Sequence, residues 1–125
     1  MYIVIMSNIL YDLSIDELIK LQNKTQETDK IIVKFSASWC APCKKINPIV
    51  DEYKTKMKNN HYLVLIDIDE SVELYISLKR FKMVNGIPAI LVYNGGAREK
   101  WYIPDNSVLG GDVQGVSSLL NNLFK

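Results

Sequence analysis

At 125 residues the chain has room for one domain with a sizeable buried core. Its formal net charge of +1 gives no electrostatic pull toward nucleic acid or an acidic membrane, and its 48% hydrophobic content contains no apolar run near the ~20 residues of a membrane span. Two cysteines are too few for a stapled secreted scaffold.

The first residues are apolar but lack a basic leader, and Asp12 interrupts soon after. No secretory signal is therefore expected, and the chain reads as cytoplasmic. Residues 3–6 or 8–10 supply a first strand. Ser14 and Glu17 have the spacing of a capping box. They open a helix carrying Ile15, Leu18, Ile19, Leu21 and Gln22 that fades by Thr25, and residues 22–30 read as a polar loop. Residues 31–36 are apolar on both faces, the pattern of a strand covered by helices. Beyond the two cysteines, Ile46, Ile49, Val50, Tyr53 and Met57 recur at helical spacing, and Pro48 predicts a kink. Residues 63–68 form a second buried strand. A helix from Ser71 presents Leu74, Leu78 and Phe81. Residues 89–93 form a third strand, Asn94-Gly95 reads as a type I′ turn, and residues 98–103 return as the partner strand. Gly110-Gly111-Asp112 opens a last helix with Val113, Val116, Leu119, Leu120 and Leu123 inward. The order predicts an α/β fold, a mixed sheet between helix layers.

The chemistry concentrates in Trp39-Cys40-Ala41-Pro42-Cys43-Lys44, between a strand and a helix. A thiol–disulfide exchanger needs Cys-x-x-Cys at such a junction. Unpaired N–H groups and the positive end of the helix dipole favour an anion on the first sulfur, lowering its pKa from about 8.5. The second sulfur lies one turn further in, close enough to close a ring. Pro42 suits a first helical turn, where its missing N–H costs nothing. Two structural cysteines are the plain alternative. A zinc site is another, but it needs two more ligands, and the chain has one histidine, His61, and no third cysteine.

Trp39-Cys40-x-Pro42-Cys43-Lys44, Pro48 on the same helix and Gly86-Ile87-Pro88 downstream together resemble the thioredoxin family, over about residues 9–124. The resemblance implies one thioredoxin domain over residues 1–125, with roughly four to five strands and about four helices, and it begins at about residue 9, leaving residues 1–8 the least defined segment. It implies a protein-disulfide oxidoreductase that reduces disulfides of client proteins. A thioredoxin reductase would supply electrons, and the chain would act as a monomer, with no cofactor beyond the Cys40–Cys43 disulfide and no metal, nucleic-acid or membrane partner. Cys40 would attack and Cys43 resolve. Trp39, Ala41, Pro42, Ile87, Pro88 and Gly110 would line the client site, with the Ile87–Pro88 bond cis and backbone groups offered to an extended segment. The loop before Gly110 looks longer than usual in the family, and Trp101, Tyr102, Ile103 and Pro104 suggest a patch near the site. The alternative reading is a binding module that docks a partner through residues 101–109, with the cysteines secondary. Lys34 departs from the resemblance: the family usually buries an aspartate there, and Leu65 stands where a companion lysine is common. A buried cation would favour a thiolate and make the pair more oxidising. Asp67, at the cysteine end of its strand like Asp69, is the second tuning candidate, as a proton acceptor for Cys43. His61 falls at the opposite end and is assigned no role.

Overall fold

The computed structural model describes residues 8–125. Its first strand, β1 (Ile9–Tyr11), takes the later of the two expected positions; residues 3–6 lie outside the described residues. The elements then follow as α1 (Ile15–Lys24), β2 (Lys30–Ser36), α2 (Ala41–Lys54), β3 (His61–Asp67), α3 (Glu73–Arg80), β4 (Ala89–Asn94), β5 (Asn106–Leu109) and α4 (Val113–Asn122). The strands form one mixed sheet in the order β1-β3-β2-β4-β5. β1, β3 and β2 run parallel, and β4 and β5 join antiparallel.

Strand β2 is central, and its alternation assigns the two helix layers. Ile31, Val33 and Phe35 meet Leu18 and Leu21 of α1 and Leu74, Tyr75 and Leu78 of α3. Ile32 faces the other way, onto Ile46, Val50 and Tyr53 of α2 and Val116, Leu119 and Leu120 of α4. Both faces are covered, so the strand reads as a continuous apolar run. Pro48 lies inside α2, where a proline costs about 3 kcal/mol. Burial of Ile46, Val50 and Tyr53, each contributing roughly 1.5–3 kcal/mol, outweighs that cost. The capping box of α1 is present in both directions: Ser14 Oγ accepts from Glu17 N–H, and Glu17 Oε1 accepts from Ser14 N–H.

Several local expectations are corrected. Asn94-Gly95 does not make a tight hairpin turn. Such a turn needs positive φ at both central residues, and in this stretch only Gly96 has it, at 98°. Gly95 N–H donates to Asp29 O and Gly96 N–H to Gln22 O, so the chain leaving β4 is held against the α1–β2 connection. Residues 98–103 are accordingly loop, and β5 is the returning strand. Helix α3 starts at Glu73, behind Val72 with no side-chain cap, and Phe81 is its exposed C-cap; Tyr75 takes the inward position instead. Val113 opens α4 but points out, 46% exposed. The loop after α1 begins at Thr25 rather than Gln22, because Gln22 is buried in the last turn.

Candidate active site

Strand β2 delivers the chain to the start of α2, where Cys40 is the N-cap and Cys43 sits in the first turn. The two sulfurs are joined as a disulfide, with their Cα atoms 5.2 Å apart. Cys40 has extended backbone (φ −86°, ψ 107°), and its Sγ accepts the Cys43 N–H at 3.1 Å. One donor left over at the helix start is thus satisfied by sulfur itself. Both cysteines are almost covered, Cys43 more completely, at 1% against 4%. Ala37, Ile68 and Ile87 pack around them. Trp39, Ala41 and Pro42 remain exposed over the pair. The Trp39 indole N–H donates to Asp69 Oδ2 at 2.9 Å, which fixes the ring while leaving it 64% exposed.

Two distant segments close on this turn. The Ile87–Pro88 peptide is cis and immediately precedes β4. Pro88 O accepts the Gly110 N–H at 2.8 Å, and Ala89 pairs with Leu109. Gly110 has φ of 90°, a conformation that favours glycine. A Cβ on Gly111 would lie 3.1 Å from Pro42 Cβ, so this loop abuts the first turn of α2. The 39–43 turn, the 87–88 bend and the 109–111 loop are therefore one surface. Leu109 is 40% exposed on it.

Lys34 lies on the α2 side of β2 and is buried. Its Nζ donates to Asn47 Oδ1 at 2.6 Å, one helical turn beyond Cys43 rather than on the sulfurs. Burial pushes the Lys34 ammonium below the usual lysine range; nearby Lys54 adds to this and Asp51 opposes it. Leu65 does stand beside it, paired across β2 and β3. The Asp67 carboxylate accepts the Asp69 N–H at 2.9 Å and so shapes its own turn. Lys34, Ser36, Asp67 and Tyr11 share a recess of about 330 Å³.

His61 pairs with Lys30 at the other end of the strands, as Asp67 pairs with Ser36 at the cysteine end. Trp101 and Tyr102 are also drawn away from the sulfurs, which corrects the expected patch near the site. Trp101 O is held by Gln22 Nε2, and Tyr102 O by the hydroxyl of Tyr93, next to the far end of β4.

Asn47 and the Asp69 hydrogen bond to Trp39 were not anticipated. Asn47 was findable as the residue one turn after Cys43, had the α2 packing been known. Nothing local marks Asp69 over Asp67 as the indole partner.

A mixed sheet that presents Cys-x-x-Cys at a helix N-terminus, opposite a cis-proline, defines the thioredoxin-fold class of dithiol/disulfide proteins. The thioredoxin family profile matches residues 17–108. The thioredoxin of Rickettsia typhi is 30% identical over 82 residues, covering 65% of this chain and 74% of that protein. The bifunctional thioredoxin reductase/thioredoxin of Mycobacterium leprae is 28% identical over 93 residues, but the match spans only 18% of that longer protein. The Malassezia sympodialis thioredoxin superposes with a TM-score of 0.69 at 16% identity, covering 100% of this chain and 98% of that one. The chain belongs to the thioredoxin family, and its Cys40–Cys43 pair gives it thioredoxin-type dithiol/disulfide oxidoreductase chemistry. No helix among the described residues is long and apolar enough to cross a membrane.

Proposed function

We propose that the protein reduces disulfides of client proteins through Cys40 and Cys43. The carrying observation is the Cys40 sulfur at the α2 N-cap, where a backbone N–H meets it. In the reduced protein that donor and the helix dipole favour thiolate over thiol. The Cys40 thiolate attacks one sulfur of a client disulfide; the other client sulfur leaves as thiolate and takes a proton. Cys43, as thiolate, then attacks the Cys40 sulfur and releases the second client thiolate. Two electrons pass to the client, and the Cys40–Cys43 disulfide remains. A thioredoxin reductase restores the dithiol.

Trp39, Ala41, Pro42, Ile87, Pro88 and Gly110 form the client groove. An extended client segment lies along the backbone at residue 87, and the Trp39 ring covers one side of it. Lys34 and Asp67 act as tuning residues, Lys34 by favouring negative charge near Cys43 and Asp67 by accepting its proton. The protein works as a monomer in the reducing cytoplasm, with both of its cysteines committed to the pair.

Trapping with Cys43→Ser tests this reading. Clients are expected to accumulate as mixed disulfides on Cys40, and Cys40→Ser is expected to abolish reduction of insulin disulfides. Normal insulin reduction by Cys40→Ser would overturn it.

A further inference from the structure

The connection between β4 and β5 is built as one body. Arg98 Nη1 donates to Asn94 O at 3.0 Å and to Asp105 Oδ2 at 2.9 Å, and Nη2 donates to Ile103 O at 2.7 Å. Its guanidinium lies over the Tyr93 ring, 5.4 Å from the centroid. Asp105 also accepts the Asn94 N–H. The loop is joined to the end of α3 through aromatic rings. Phe81 and Tyr102 stack with centroids 3.9 Å apart, and Trp101 meets both edge-on at 6.1 and 5.8 Å. Phe81 and Ile103 each remain 41% exposed. Beside them Ala97, Arg98, Glu99, Lys100 and Ile103 wall an open recess of about 470 Å³.

Charge collects at the same place. Lys79, Arg80 and Lys82 flank Phe81, and Lys100 precedes Trp101; all four are exposed. Among the described residues none of them is ion-paired. Glu99 adjoins Lys100 in the chain as an opposing charge, while Asp105 is taken by Arg98. In a chain of net charge +1 this is a local concentration of cations around exposed apolar surface.

We propose that this surface binds an acidic segment of a partner polypeptide, with an apolar side chain of that segment seated against Phe81 and Ile103. The cations supply the attraction, and the held loop offers the contact with little ordering cost. The ring geometry argues against a nucleic acid. Phe81 and Tyr102 each spend one face on the other, and Trp101 stands nearly perpendicular to both, so the three rings do not line up as a parallel run of open faces for successive bases. The surface lies toward the Asn94 end of β4, away from Cys40, and does not depend on the exchange reaction.

The test uses the oxidised full-length protein and three labelled probes: a short Asp/Glu-rich peptide with one leucine, its Lys-rich counterpart, and a single-stranded RNA. Fluorescence anisotropy is expected to show binding of the acidic peptide only, weakening with added salt. Lys79→Glu, Lys82→Glu and Lys100→Glu together are expected to weaken it at least about tenfold, while insulin reduction stays within about twofold. A control reversing Lys44, Lys45 and Lys56 to Glu changes net charge equally and is expected to leave peptide binding within about twofold. Failure to bind the acidic peptide, equal loss in the control, or tighter binding of the RNA would each overturn the proposal. Replacing all three lysines with Gln separates lost attraction from added repulsion, and it too must weaken binding.

Discussion

Removing the buried cation should make the cysteine pair more reducing. Asn47 lies one turn, about 6 Å of rise, along α2 from Cys43, and Lys34 Nζ is 2.6 Å from its Oδ1. The ammonium is then roughly 8 Å from a Cys43 thiolate. At an effective dielectric of ~20 the attraction is about 2 kcal/mol. A cation that favours thiolate stabilises the dithiol form and raises the potential. Since about 1.4 kcal/mol corresponds to ~30 mV for a two-electron couple, full charge on Lys34 raises it by about 45 mV. This is an upper figure, because burial pushes Lys34 toward its neutral form. Lys34→Met should therefore lower the potential by up to about 45 mV, and Lys34→Asp should lower it further. Equilibration in dithiothreitol buffers, followed by alkylation and mass measurement, reads the change directly. The gap between wild type and Lys34→Met should narrow as pH rises and Lys34 loses its proton. Potentials agreeing within about 10 mV at pH 7 would refute the reasoning.

Gly95→Ala should destabilise the fold by about 1–3 kcal/mol in urea melts, because its Cβ would collide with the Gln26 carbonyl and the Thr25 side chain. His61 is fully covered, hydrogen-bonded to the Tyr53 hydroxyl at 2.7 Å, and held below its ordinary pKa by burial, with the nearby Leu123 backbone opposing this and Lys58 and Lys30 adding to it. A depressed folded pKa gives stability that is complete above about pH 6.5 and lost as pH falls through the folded value. Melting temperature should accordingly drop between pH 7 and pH 5, and His61→Gln should flatten that part of the profile; parallel profiles would contradict the assignment. Asp69→Ala frees the Trp39 indole N–H. It should broaden the Trp39 indole N–H resonance and reduce kcat/KM for insulin by about two- to tenfold, with thermal stability within about 1 kcal/mol.

Features set by neighbours in the chain were legible before any coordinates. The Ser14–Glu17 cap needs only two groups three residues apart. The apolar run of β2 declared itself as a covered strand, and Cys40-Ala41-Pro42-Cys43 declared a strand-to-helix turn. What failed depended on tertiary packing. Asn94-Gly95 carries the local signature of a hairpin, yet Gly95 is there because the α1–β2 connection passes against it. Phe81 continues the spacing of Leu74 and Leu78, but the helix ends and the ring turns to Tyr102, while Tyr75 packs on Phe35. The hydrogen bond from Lys34 to Asn47 requires knowing which face of β2 receives α2, which the two-sided apolar pattern of that strand conceals.

Strand β4 acts as a spacer. Its six residues begin beside Pro88 and end at the Arg98-held loop, a separation of about 20 Å. Changes at exposed Glu99 and Lys100 are too remote to disturb the geometry around sulfur, and an exposed loop tip beside the Arg98 anchor is the kind of position that accepts inserted sequence. A grafted recognition peptide or reporter there would redirect the protein to chosen clients and leave its electron chemistry untouched.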